Sequence, residues 1–144
     1  MKKLLLPPPS RVGKSIFQEL IYFLFRFHVG YTMAIDAGLG KIKDFPVSQK
    51  FIDSLTKAGW VFPEFLAIIA GWGEVIGGAL IALGLFGRMG GIVVAIIMIV
   101  AAFIKHDTVF LIQMDTAQLY LFCAALVSVF GNGRFSLDFF LFKK

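Results

Sequence analysis

One cysteine, two histidines and a charged fraction of 16% leave this 144-residue chain short of the groups that carry most aqueous chemistry. Cys123 stands alone in an apolar run, so no internal disulfide or paired-cysteine motif exists. Thiol–disulfide catalysis and a cysteine-held cluster within the chain are thereby excluded. Cys123 reads as a small apolar packing residue. His28 falls inside the first apolar run and His106 at the end of the third, about 9 Å different in depth by helical rise. Two histidines so placed do not bracket a haem, and they are too few for a metal site. No cleavable leader is expected, because Leu4 to Leu6 is too short for an apolar core before Pro7, Pro8 and Pro9 stop it. Gly13-Lys14-Ser15 ends like a phosphate-binding loop, but Pro8 occupies the required glycine position and no strand precedes it. Long soluble segments and low-complexity tracts are absent too.

The charge deficit has a counterpart in what is present. Soluble domains carry about 25% charged residues. Here 58% of the residues are hydrophobic and the mean hydropathy is +0.84, which places the chain in the membrane class. The expected fold is all-α, a transmembrane four-helix bundle with short loops and one amphipathic external helix. Its spans cover about 16–38, 62–86, 89–104 and 116–130, within a membrane domain of residues 16–138. Residues 1–15 make a basic cytoplasmic tail and 139–144 a C-terminal tail. The formal charge of +5 comes from lysines and arginines at span ends, not from a soluble face with stacking aromatics, so nucleic acid is no partner. With both termini inside, eight basic residues lie on the inner side against five outside, so both termini are expected in the cytoplasm.

Residues 41–61 form the longest external loop, broken at Phe45-Pro46. Ser48 can cap a short helix ending near Gly59, with Val47, Phe51, Ile52 and Leu55 on one side. Such a helix lies on the membrane surface with Trp60 at headgroup depth, or packs as a lid over the bundle mouth. In span 2, Gly73 and Gly77 are four apart, as are Gly87 and Gly91 beyond it. Small residues at this interval, with Gly78 beside them, let helices approach closely.

The polar residues inside the apolar runs set the candidate site. Glu19, Tyr22, Arg26, Gly30 and Met33 recur at three- and four-residue steps and share one helix face. Glu74 lies among the span 2 glycines. A rise of 1.5 Å per residue puts Arg26 ~15 Å and Glu74 ~18 Å from the inner surface, on antiparallel neighbours. An unpaired charge at that depth costs roughly 2.5 kcal/mol or more, so an Arg26–Glu74 pair is expected, with Tyr22 and Gly30 beside it. The carboxylate could exchange a proton and the guanidinium could hold an anionic or quinone-like oxygen. A packing clasp is the equal alternative.

Several motifs resemble the DoxX family. They are Arg26-x-x-x-Gly30 followed by Lys41, then Gly73-Glu74-Val75-Ile76-Gly77-Gly78 with Gly84-Leu85 and Arg88. Met98, Ala101-Ala102 and His106 continue the likeness, and Gly131-Asn132-Gly133-Arg134-Phe135-Ser136-Leu137-Asp138 closes it. The likeness spans roughly residues 20–138, with one departure: the Arg26–Lys41 interval is about one residue longer. The resemblance implies a four-helix bacterial inner-membrane protein, similar to small subunits of thiosulfate:quinone or quinol-oxidising systems. It adds Lys41, Arg88 and His106 as secondary site candidates. The first expectation is an accessory subunit of a quinone-linked redox complex, in contact with lipid and a protein partner. Quinone is its expected ligand; no covalent cofactor and no metal are expected. A non-enzymatic scaffold or assembly factor, with a structural pair, is the alternative.

Overall fold

The structure, a computed structural model, describes residues 12–105 and 116–142, and every regular element among them is helical. Helix α1, Ile16–Thr32, starts at a capping box in which Ser15 accepts from the Gln18 N–H and the Gln18 side chain accepts from the Ser15 N–H. It continues unbroken through a wider π-helical segment, Met33–Leu39, and a last turn, Gly40–Ile42. The first helix therefore runs past the end predicted near Gly38, and Lys41 belongs to it rather than to the loop. Nothing in Leu39 to Lys43 breaks a helix. The chain turns only at Phe45-Pro46, whose peptide bond is cis.

Helix α2, Gln49–Lys57, follows Ser48 and ends before Gly59 (φ 77°). Its Leu55 is buried with Val47 and with Ala67 of the next helix, while Phe51, Ile52 and Trp60 pack around them. The apolar side of α2 thus packs against that next helix and lines a cavity with Phe51 and Leu55, as the lid reading expects. Helix α3, Pro63–Leu83, has proline at its first position, where the missing N–H is not needed. It ends at Gly84 in the left-handed region (φ 66°), with the Gly84 and Leu85 N–H groups turned back to the Ile81 and Leu80 carbonyls. Helix α4, Gly87–Ile99, also passes into a π-helical segment, Val100–Lys105. Helix α5, Thr116–Phe130, stops at Gly131-Asn132-Gly133, where both glycines have positive φ. A short α6, Leu137–Phe142, extends helix into the stretch expected to be a tail.

Helix α3 is the centre of the arrangement, packing against α1, α2 and α4, and α4 packs against α5. Met33, Ile81, Val94, Met98, Ala124 and Val127 form the core between them. Glycines set the spacing. A β-carbon on Gly30 would stand 2.6 Å from the Gly78 carbonyl oxygen, and one on Gly78 would stand 2.7 Å from the Ala34 nitrogen. Gly38 is held as closely against Val75. On the other side of α3, Gly73 faces Ile97 and Gly77 faces Val94, while Gly91 abuts the Ala124 carbonyl on α5. Such backbone contact needs side chains no larger than hydrogen.

The outer surface is apolar: Phe65, Ile96 and Val129 are all more than half exposed. Among the described residues, one helix, Pro63–Leu83, is long and apolar enough to cross a membrane; Gly87–Ala102 and Thr116–Phe130 are apolar but shorter.

Candidate functional site

Arg26 and Glu74 both lack exposed surface, but they do not meet. The Arg26 guanidinium lies over the C-terminal end of α3, where carbonyls have no helical partner. Its Nη1 donates to the Ile81 carbonyl and, at 2.9 Å, to the Ala82 carbonyl; Nη2 donates to the Phe135 carbonyl at 2.7 Å. The negative end of the helix dipole favours a cation at this point. The expected Arg26–Glu74 pair is thus corrected, and the cause is register. Gly30 packs against Gly78 and Ala82, and Gly38 against Glu74 and Val75. That alignment sets Arg26 seven or eight residues beyond Glu74 along α3, ~11 Å at the helical rise. The depth estimate counted Arg26 from Ile16 and Glu74 from Phe86 as though those two ends were level. Instead Arg26, ten residues into α1, lies beside Ile81 and Ala82 at the end of α3, so the start of α1 runs on past that end.

The rest of the α1 stripe joins Arg26 at this end. Tyr22 Oη donates to the Gly131 carbonyl at 2.6 Å. Buried Glu19 accepts from the Gly13 N–H at 3.0 Å and the Arg134 N–H at 2.8 Å. Asp138 accepts from the Phe86 N–H at 3.1 Å and from Asn132, which also donates to the Gly84 carbonyl. The two turns, residues 84–86 and 131–138, are therefore stitched to one face of α1. Backbone carbonyls supply most of the acceptors, and no side-chain pattern in the sequence announces them.

Glu74 meets a different cation. Lys41, on the last turn of α1, donates from Nζ to Glu74 Oε1, and the two form a salt bridge. The Lys41 side chain is 28% exposed and Glu74 not at all. Lys41 Nζ also stands over the Phe51 ring, 5.0 Å from its centroid, which ties the pair to the lid. The π-helical segment explains how Lys41 reaches Glu74 despite the longer Arg26–Lys41 interval. A π turn takes in one extra residue and leaves the helix beyond it on its original face.

This ion pair forms part of the wall of a cavity of about 320 Å³. The lining comes from the π-helical stretch of α1 (Met33, Ala37), the lid (Phe51, Leu55, Trp60), α3 (Leu66, Ile69, Ala70), the end of α4 and the start of α5, including Thr116 and Tyr120. The walls are almost wholly apolar, so the ammonium and carboxylate are the main polar features a ligand would meet. Phe51, Trp60 and Tyr120 were not foreseen as site residues; the apolar side of the loop helix hinted at Phe51 alone.

The other expected candidates lie elsewhere. Gly30 belongs to the α1–α3 contact. Arg88 is half-buried in the first turn of α4, its Nε without a hydrogen-bond partner among the described residues. Gly87 abuts Asn132. His106 lies outside the described residues. Among those described, no group of three or more histidine, cysteine, aspartate or glutamate side chains could hold a metal ion. The model of the DoxX family matches residues 21–107 of the chain. No curated protein and no solved structure matches it.

Proposed function

Because this chain belongs to the DoxX family of membrane proteins, we propose that it is a four-span protein of the bacterial inner membrane that holds a quinone-like ligand against Lys41 and Glu74. In this reading it is an accessory subunit of a quinone-linked redox complex, with both termini cytoplasmic. The observation that carries the reading is the ion pair in the wall of an apolar cavity of about 320 Å³. That volume falls at the lower end of the ~300–1,000 Å³ typical of small-molecule pockets, which combine apolar walls with a few convergent polar groups. A flat ring bearing carbonyl oxygens and an apolar tail has that same division of character.

The residues present fit such a ligand. Lys41 Nζ can donate to a ring carbonyl oxygen, and Glu74 can hold or pass the proton that accompanies its reduction. Met33, Leu66 and Met98 supply apolar walls for the ring and tail. Phe51 on the lid stands against the ammonium, and Leu55 lines the same cavity. A bound quinone supplies two-electron, two-proton redox capacity, which composition denies to the chain itself. Both closing π-helical segments border the cavity, and such segments recur at functional sites.

Quinone extracted from protein purified out of native membranes tests the proposal. Wild type is expected to carry quinone, and the double variant Lys41→Met with Glu74→Leu to lose it while keeping its helicity and folded yield. Wild-type protein with neither quinone nor a redox partner would defeat the reading. The scaffold reading has its own support, because the pair ties α1 to α3 beneath a fully buried carboxylate. It predicts that Glu74→Gln lowers yield and thermal stability without changing quinone content.

A further inference from the structure

Helix α1 carries two stripes back to back. Gly30, Ala34 and Gly38, four residues apart, lie against α3 at backbone contact. Two residues out of phase run His28, Thr32, Asp36 and Gly40, also four apart, and they face outward. His28, Asp36 and Gly40 are exposed and Thr32 is half-buried. A β-carbon on Gly40 would meet nothing within 4 Å. The Thr32 hydroxyl is satisfied within its own helix by the His28 carbonyl at 2.9 Å. Asp36 has no hydrogen bond or ion pair among the described residues.

The setting makes this stripe anomalous. Its neighbours on the outer surface of α1 are Leu24, Phe27, Tyr31, Ile35 and Leu39, each more than 40% exposed. That is a surface made for hydrocarbon, and an acid and an imidazole stand within it. Ionisable side chains inside a membrane turn toward protein or water, because lipid cannot solvate them. Threonine and glycine at four-residue spacing are also what lets a second helix approach closely. The inward stripe shows that this helix packs in that manner against α3.

We propose that the His28–Thr32–Asp36–Gly40 face of α1 is the docking surface for a membrane helix of a different protein, one that brings a lysine or arginine to Asp36. The occupant follows from charge. Two copies of this chain, related by an axis along the membrane normal, would set Asp36 against Asp36, a like-charge contact that opposes association. A cation from another chain satisfies the carboxylate, and a helix with small residues on the facing side fits Thr32 and Gly40. The inference rests on the membrane reading above but not on the quinone.

Photo-cross-linking in the native membrane tests it, with Tyr31→p-benzoylphenylalanine beside the stripe and Ile76→p-benzoylphenylalanine on the exposed face of α3 as the control. The Tyr31 probe is expected to join a membrane segment of another protein that contains lysine or arginine. Adding Asp36→Asn should cut that adduct about three- to tenfold, the range for one interhelical polar contact, with folded yield unchanged. Lipid adducts at Ile76 show that the helices lie in the bilayer, so their absence would count against the membrane reading. With lipid seen at Ile76, the docking proposal is overturned if the Tyr31 probe captures lipid alone, a second copy of this chain, or nothing. A partner segment without a basic residue, or an adduct indifferent to Asp36→Asn, overturns it equally.

Discussion

Replacing Lys41 by methionine takes the ammonium group away from a carboxylate that has no exposed surface. Removing one member of a buried ion pair costs about 3–5 kcal/mol, most of it from the buried charge that stays behind. The Lys41 side chain is 28% exposed, so water screens part of the effect and the lower end, about 3 kcal/mol, is expected. Replacing both partners, as Lys41→Met with Glu74→Leu, removes the charges together. The double variant should lie within about 1 kcal/mol of wild type, because apolar substitutes for a buried pair are often neutral. The same cycle between Arg26→Met and Glu74→Leu should be additive within about 0.5 kcal/mol, since those side chains share no partner and lie ~11 Å apart along α3. Reversible unfolding in mixed micelles, followed by tryptophan fluorescence from half-buried Trp60 and Trp72, measures wild type and all five variants. A larger coupling between Arg26 and Glu74 than between Lys41 and Glu74 would refute the register on which the site is built.

Two further outcomes follow from the same geometry. Arg26→Lys should destabilise by about 2 kcal/mol, because one ammonium cannot span both the Ile81–Ala82 carbonyls and the Phe135 carbonyl, and at least one charge-assisted bond is lost; the unfolding assay reads it directly. Gly78→Val should cost about 3 kcal/mol, since its β-carbon would stand 2.7 Å from the Ala34 nitrogen and 2.8 Å from the Gly30 oxygen, forcing α1 away from α3. Spin labels on the outer faces of those helices would report the separation.

The sequence made helix faces legible and helix register obscure. Glu19, Tyr22, Arg26, Gly30 and Met33 share a face because 3.6 residues make a turn, and that periodicity is local. Their level against α3 depends on how the ends of the two helices stand to each other, and nothing near Ile16 or Leu83 signals that the first ten residues of α1 run on past the end of α3. The π-helical segment hid the Lys41–Glu74 contact as well, since it takes in an extra residue without a change in composition. Charge arithmetic then paired the two deepest ionisable residues. It could not see that an arginine is equally well served by the open carbonyls of a helix end. The lid was within reach, because Val47, Phe51, Ile52 and Leu55 fall on one side of their helix. Whether that side met lipid or protein depended on the room beside Ala67, which only the fold reveals. The glycines of α3 were the clearest signal, their spacing encoding close approach on both flanks.

The knot around Arg26 has a consequence for how the chain is made. Its guanidinium can reach the Ile81 and Ala82 carbonyls once the first two long helices come together, but the Phe135 carbonyl, like the Gly131 carbonyl that receives Tyr22, lies 109 residues further along the chain than its donor. The first long helix is therefore locked by residues translated after the last long helix described, Thr116–Phe130. A nascent chain halted before Gly131 keeps the Ile81 and Ala82 contacts of Arg26 but neither its Phe135 bond nor the Tyr22 bond, which leaves its first helix half-latched.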